Sequence, residues 1–374
     1  MADMRMPPTT QLRFGWTTGT CATAALNASY TAMVTGKFPD IVSIETPSGM
    51  TAELLVHDPA LSATGAIAAI IKDAGDDPDV THGAVIRVHV APAASGSGVR
   101  FHAGDGVGII TKPGLPVSVG EPAINPMPRQ MMRDIIKKLA VEFDGPMDVD
   151  ITVSVDGGKE LARKTWNPRL GIEGGISILG TTGVVRPYSC SAWIASIHRG
   201  IDVARANSLP HTIATTGSTS EAALRRLVDV PDIACLDMGD FIGGMLKYLR
   251  RHPVPQLTIA GGIGKMVKFA QGAVDLHSAR SQVDFGKLAE WAVRTGMGAD
   301  EVRRANTVLE VIQSADDKQK KALGALIAGR CLEQAHQLLK DADISLATLI
   351  IARDGAVLGQ DSDASHIMAG RELV

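Results

Sequence analysis

The sequence predicts a two-domain protein: an α+β domain followed by a Rossmann-like α/β domain with a mostly parallel sheet. Three observations lead there. The chain has 374 residues, long for a single domain. Apolar residues make up 45% of it but aromatics only 4%, with 39 glycines, so Ala, Val, Ile, Leu and Met must build the core and small residues the turns. Near residue 190 the texture changes from mixed hairpins and helices to a regular strand–helix alternation.

Residues 1–12 read as a flexible tail without the apolar centre of a signal peptide. The α+β domain is expected over 13–168. Thr17, Thr18 and Thr20 are good capping residues, and CATAALNASYTAMV reads as a small-residue helix ending near Gly36. Residues 41–46 and 51–57 flank the turn PSGM as a hairpin. TGAIAAIIKDAG suggests a helix over 64–74, followed by the acidic turn DDPD. Strands follow at GAVIRVHVA and over 148–156, where apolar and polar residues alternate cleanly. A Gly/Pro-rich region between them leads into a helix, PRQMMRDIIKKLAVEF.

Residues 169–189, RLGIEGGISILGTTGVVRPYS, are a glycine-rich junction. Its glycines allow close backbone approach, and Thr181, Thr182 and Gly183 offer N–H and hydroxyl groups, so the segment is expected to line a cleft between the domains. The alternative is a glycine-rich packing element. Over 190–374, SAWIASIHRGIDVARAN reads as a helix, and HTIAT, DIACLDM and QLTIA as strands that each lead into one. Helices over 284–296, 299–314 and 318–339 and a strand over 344–352 complete the Rossmann-like domain. Its strands lack polar alternation, as strands covered on both faces do. TTGT at 17–20, TTG at 181–183 and TTGS at 215–218 echo one another at unequal spacings, so they are similar local solutions rather than repeats.

Several classes are excluded. The formal charge is −3, so no nucleic-acid partner is expected. Cys21, Cys190, Cys235 and Cys331 lack metal-ligand or CxxC spacing and read as buried thiols of a reducing cytoplasm; no protein-bound metal is expected. No apolar run reaches the roughly 18 residues of a membrane span. His57, His82, His102 and His211 show no paired spacing, and neither GxSxG nor a Walker motif occurs. A homo-oligomer remains open.

In an open parallel sheet, ligands sit beyond the carboxyl ends of the strands. Three such ends are legible, and they offer Thr216, Gly217 and Ser218; Asp237, Gly239 and Asp240; and Gly261, Gly262 and Gly264. Glycines, helix N-termini and ribose-binding acids together suggest a nucleotide or nucleoside pocket; the alternative is short strand-to-helix turns. The dinucleotide fingerprint is incomplete, with Val267 where a third glycine belongs. In the first half, Asp105 stands among glycines in AGDGVG, as a general base, a cation holder or an ordinary acidic turn. The proline-stiffened run KPGLPVSVGEPAINPMPR carries Lys112, Glu121, Asn125 and Arg129, as a binding loop or a structural crossover. Arg169, Arg186 and Arg199 are candidates for an anion-binding wall, each also readable as a solvated surface residue.

Together, GWTTGTCATAAL, AGDGVGIITKPGLPVSVGEPAINPMPR and NPRLGIEGGISILGTTGVVRPYS resemble the CbiD family, in that family's order, from about residue 12 to the C-terminal strand. The resemblance implies an enzyme of cobalamin biosynthesis. In that family S-adenosylmethionine gives its methyl group to ring carbon C1 of cobalt-precorrin-5B, forming cobalt-precorrin-6A. On this reading the C-terminal loops hold the adenosyl donor as co-substrate. Thr18, Gly19, Thr20, Lys112, Arg129, Arg169, Thr181, Thr182 and Arg186 would bind the carboxylate-rich tetrapyrrole, and Asp105 would be the catalytic carboxylate. Two rivals stand beside it: a non-catalytic tetrapyrrole carrier and a nicotinamide-dependent oxidoreductase.

Overall fold

The computed structural model describes residues 12–363, so the expected tail, Leu12 apart, lies outside the described residues. The chain divides into two compact units, Met1–Cys190 and Ser191–Val374.

The first unit begins with β1 (Gly15–Trp16), α1 (Thr18–Thr35), β2 (Ile41–Glu45), β3 (Thr51–Leu55), β4 (His57–Ser62), β5 (Gly65–Ile71), β6 (Val85–Pro92), β7 (Val99–Ala103), β8 (Gly106–Val107) and β9 (Ile109–Ile110). It continues through α2 (Pro126–Phe143), β10 (Val149–Val155), α3 (Gly158–Ala162), β11 (Ile172–Glu173), β12 (Gly175–Ile176) and β13 (Val184–Val185). Thr17 caps α1 by accepting from the Thr20 N–H, and Gly36 ends it in the left-handed conformation at φ 78°. Small residues let α1 be buried almost all round. Ala22, Ala25 and Leu26 share one core with Ile86, Val88, Ile151 and Val153 of a sheet ordered β4-β5-β6-β10-β7.

The helix expected over 64–74 is instead strand β5. Ala66, Ala68 and Ile70 are buried there, and the strand pairs antiparallel with β6 along its length. An Ala/Ile run fits either periodicity, and here the neighbouring strand decides it. Beyond it, Lys72 is buried at 2% exposure and is held by Asp79 at 2.8 Å.

Segment 169–189 is threaded through this first unit. β11 pairs with β9, β12 with β8 and β13 with β1, and Ile178 bridges to Ile124. Two of the echoing motifs bind each other. Gly19 N–H donates to the Leu179 carbonyl at 2.9 Å, and Leu179 N–H donates to Thr18 Oγ1 at 2.9 Å. Thr20 Oγ1 donates to the Gly183 carbonyl at 2.7 Å, and Thr17 N–H reaches the same carbonyl at 3.2 Å. A Cβ at Gly180 would stand 2.3 Å from Thr17 Oγ1, so this approach requires glycine.

α4 (Cys190–Ala206) leads into the second unit: β14 (His211–Thr215), α5 (Ser218–Leu227), β15 (Cys235–Asp237), α6 (Ile242–Leu249), β16 (Gln256–Gly262) and α7 (Ile263–Ala270). Then follow α8 (Phe285–Val293), α9 (Ala299–Arg304), α10 (Val308–Ser314), α11 (Asp317–Leu339), β17 (Ser345–Ile351) and β18 (Val357–Ser362). The sheet order is β15-β14-β16-β17-β18; the first four strands run parallel and β18 antiparallel. The single helix expected over 299–314 is two, because Thr307 caps α10 by accepting from Glu310 N–H at 3.1 Å. Edge strand β18 was not expected; polar and short, it follows a turn at Gly355.

Two outcomes follow. Thr20→Val strips a buried hydroxyl and leaves the Gly183 carbonyl with the Thr17 N–H alone, so urea unfolding should show a loss of about 1 kcal/mol. Thr20→Ser should lose less; equal losses would show that packing, not the hydrogen bond, holds the segment. Asp79 adds a pH dependence. Burial pushes its carboxyl up, but the Lys72 charge, the Lys72 hydrogen bond and two bonds from Thr81 outweigh this and hold it below its ordinary 3.8. Such a group stabilises fully above its ordinary value and loses that contribution as pH falls through its folded value. Stability should therefore drop on acidification below 3.8, and Lys72→Met should flatten that drop. An unchanged acid limb in Lys72→Met would remove the pair from the explanation.

Candidate functional site

After β14 the chain adds β15 on one side, then returns past β14 to place β16 on the other. Strand order thus reverses between β14 and β16, and open α/β sheets bind ligands at the carboxyl ends beside such a crossover. The registers Thr215–Asp237 and Thr215–Ala260 bring the three strand ends level. They deliver together the predicted Thr216, Gly217 and Ser218, Asp237, Gly239 and Asp240, and Gly261, Gly262 and Gly264.

Lys265, which closes the third strand-end run GGIGK, ties these loops into one constellation, a role the sequence does not assign it. Its ammonium donates to the Thr216 carbonyl at 3.1 Å and lies 3.0 Å from Asp240 Oδ1. Gly262 N–H donates to Thr216 Oγ1 at 3.2 Å. Trp193, on α4, was missed because it lies far from the loops in sequence. Its indole N–H donates to the Asp237 carbonyl at 3.3 Å, and its ring centre is 6.4 Å from that of Phe241.

Openness separates the loops' glycines. Helices α5 and α7 begin after Gly217 and Gly262 without a side-chain cap, leaving leading N–H groups with partial positive charge. A Cβ at Gly217, Gly262 or Gly264 would meet nothing within 4 Å. Gly261 differs: a Cβ there would stand 2.6 Å from Met266 Sδ, so internal packing accounts for it. Asp237, at 8% exposure, accepts from Gly239 N–H at 3.2 Å. Backbone donors, two carboxylates and an aromatic wall form a set suited to a nucleoside with a polar tail.

In the first unit the predicted residues have mixed surroundings. Asp105 is exposed, 2.8 Å from the Lys159 ammonium. Its flanking glycines are required by the chain itself, since Cβ atoms at Gly104 and Gly106 would each stand 2.0 Å from Ser154 Oγ and the Val155 carbonyl, respectively. Thr18, Gly19 and Thr20 are buried with their polar groups bonded to 177–183, so the expectation that they contact a ligand is corrected to an internal role. Arg129 is likewise committed. Nε donates to the Ile124 carbonyl at 2.8 Å, Nη2 to the Pro122 carbonyl at 3.0 Å, and Nη1 reaches Glu121 at 3.0 Å.

Lys112 lays its stem over Gly171, and its ammonium makes no ion pair among the described residues. Arg169 lies over Trp166 and the exposed Arg186 over Phe14, at 5.7 and 5.6 Å from the ring centres. Thr181 and Thr182 are exposed, although Thr182 Oγ1 donates to the Val184 carbonyl at 3.1 Å. Asn125 N–H is taken by the Ile178 carbonyl at 2.9 Å. Arg199, in the second unit, pairs with Asp202 at 2.9 Å. Among the described residues the four cysteines form no disulfide, and burial pushes the Cys21 thiol up to about 12.

No helix among the described residues is long and apolar enough to cross a membrane. The CbiD family model matches residues 5–187, and the model of the CbiD C-terminal domain matches residues 275–362. A protein of Brucella anthropi named cobalt-precorrin-5B C(1)-methyltransferase is 53% identical, over 94% of this chain and 96% of its own length. The protein of that name from Brucella canis is 53% identical over 95% of this chain and 97% of its own length. A solved structure described as a cobalamin biosynthesis protein (cbiD) from Archaeoglobus fulgidus is 29% identical, covers 72% of this chain and 83% of its own, and has a TM-score of 0.40. With family models matching both ends and relatives this similar along nearly the whole length, the chain belongs to the CbiD family.

Proposed function

We propose that this chain is an S-adenosylmethionine-dependent methyltransferase acting on ring carbon C1 of cobalt-precorrin-5B, to give cobalt-precorrin-6A in corrin-ring biosynthesis. The name shared by its close relatives supports the reaction. The observation that carries the donor site is the trio of open strand-end loops stitched by Lys265. On this reading the second unit is a Rossmann-like domain. The N–H groups at the starts of α5 and α7, with Ser218, hold the polar tail of the donor. Asp237 and Asp240 receive hydroxyls, and Gly217, Gly262 and Gly264 leave room for close contact.

S-adenosylmethionine supplies a methyl group from its sulfonium. The chain's own residues position both partners and manage one proton. Lys112, Arg169, Arg186, Thr181 and Thr182 bind the acetate and propionate arms of the tetrapyrrole, whose cobalt arrives with the substrate. Thr18, Gly19, Thr20 and Arg129 act one step removed, by fixing the backbone that presents those residues. Asp105 takes the proton released when C1 is alkylated.

The direct test is turnover with methyl-labelled donor and precorrin-5B, with and without cobalt. Label at C1 is expected, and Asp105→Asn should lower kcat by about 100-fold. Bound macrocycle without transfer would favour a carrier; calorimetric binding of NADH in place of the donor would favour an oxidoreductase. Undiminished kcat in Asp105→Asn would remove Asp105 from the chemistry alone. A second test isolates the donor site. Gly264→Leu sits where nothing is touched and improves helix propensity by roughly 1 kcal/mol, so thermal stability should hold or rise. Calorimetry should nevertheless show donor affinity falling by about tenfold or more, as expected when a hydrophobic branch fills ligand space. Equal affinity would place the donor elsewhere.

A further inference from the structure

We infer that Arg133, held against Phe101 on helix α2, is a carboxylate anchor for the tetrapyrrole; the inference rests on the substrate class proposed above. Phe101 lies on the edge strand β7 and is 8% exposed. Two guanidinium carbons approach its ring, Arg129 at 5.3 Å and Arg133 at 5.0 Å from the centre. Their situations differ. Arg129 spends its donors on Glu121, Pro122 and Ile124. The Arg133 side chain makes no ion pair or hydrogen bond among the described residues.

The acid next to it in sequence, Asp134, accepts from Gln130 at 2.8 Å. Lys137, one helical turn further on, is exposed and also without an acid partner among the described residues. An arginine placed over a ring has lost side-chain freedom but still carries its full fork of N–H donors. The ring orients the guanidinium without satisfying those donors. A planar anion such as a carboxylate matches the fork.

The surroundings connect this anchor to the substrate-binding residues already proposed. Arg129, over the same ring, bonds Glu121, whose carbonyl accepts from Ile110 N–H at 3.0 Å. Thr111 N–H donates to the Gly171 carbonyl at 2.8 Å, and the Lys112 stem lies over Gly171, two residues after Arg169 in sequence. Arg133 thus shares its ring with Arg129, whose bond to Glu121 leads through Ile110 and Thr111 to Gly171, the backbone beneath Lys112. A substrate rich in acetate and propionate arms has carboxylates to spread over several such cations.

The test uses the full chain and two porphyrins: uroporphyrin I, rich in carboxylates, and octaethylporphyrin, which has none. Arg133→Ala should weaken uroporphyrin binding by about tenfold, the scale of one lost charged hydrogen-bonding group, and leave octaethylporphyrin unaffected. Arg133→Lys keeps the charge but not the fork and should recover only part of the loss. In turnover, the KM for the tetrapyrrole should rise while kcat and the KM for the donor hold. Inorganic phosphate should compete weakly with uroporphyrin in the wild type and less in Arg133→Ala.

Unchanged uroporphyrin affinity in Arg133→Ala would overturn the proposal, as would equal losses with both porphyrins. A fall in kcat together with the thermal midpoint would make Arg133 a structural residue and overturn it too. Loss of phosphate competition without loss of uroporphyrin affinity would assign Arg133 to a free anion rather than to the substrate, and so overturn it as stated. If wild-type protein transfers no methyl group, the methyltransferase reading fails, and the porphyrin titrations still decide the anchor.

Discussion

The first unit depends on the way the start of α1 is closed by a segment that arrives more than a hundred and fifty residues later, at Leu179 and Gly183. A helix N-terminus carries N–H groups with no partner inside the helix. Here Thr17 satisfies one, the Leu179 carbonyl another, and the hydroxyls of Thr18 and Thr20 reach back to fix the incoming chain. That knot sets the course of residues 177–183, and β11 and β12 just before them pair with β9 and β8 of the 105–125 loops. Thr181, Thr182 and Arg186 reach the surface because their neighbours are pinned.

Glycine serves opposite purposes at different places in this chain. Around Asp105 and at Gly171, Gly175, Gly180 and Gly183 the missing side chains make room for the protein's own backbone and side chains. At Gly217, Gly262 and Gly264 they leave room facing solvent, at strand ends where sheet topology opens a crevice. A glycine-rich motif in this chain therefore signals either tight self-packing or a ligand, and only the atoms nearby tell which. The same division applies to arginine. Arg129 is consumed by three groups of its own loop, while Arg133, on the same ring, keeps its donors.

Much of this was legible in the residues. The strands at HTIAT, DIACLDM and QLTIA, and the loops that follow them, read out directly because each apolar run is short and ends in glycine or a capping residue. Helix and strand could not be told apart at TGAIAAIIKDAG, where alanine and isoleucine suit both and pairing with β6 settles the matter. The role of Lys265 was not legible, because it is a reach to Thr216 and Asp240, which are far off in sequence. The echo of TTGT and TTG carries no such information: the hydroxyl-rich TTGT, which looks like a ligand contact, binds the backbone of Leu179 and Gly183. A polar motif in sequence does not reveal whether its partner is a ligand or another part of the chain.

The pairing of β1 with β13 also governs synthesis. Gly15 and Trp16 emerge from the ribosome early, and their partners Val184 and Val185 only after nearly the whole first unit has followed. Contacts this distant in sequence are slow to form, because loop closure must precede their reward. While translation runs, the nascent first unit can build α1, the β2–β3 hairpin and most of its sheet, yet its last seam stays open until residue 185 has cleared the exit tunnel. A pause or truncation in the 170s would therefore leave a partly assembled unit with exposed strand edges. In the second unit β14, β15 and β16 follow one another across single helices, and only β17 must wait for the five helices α7 to α11.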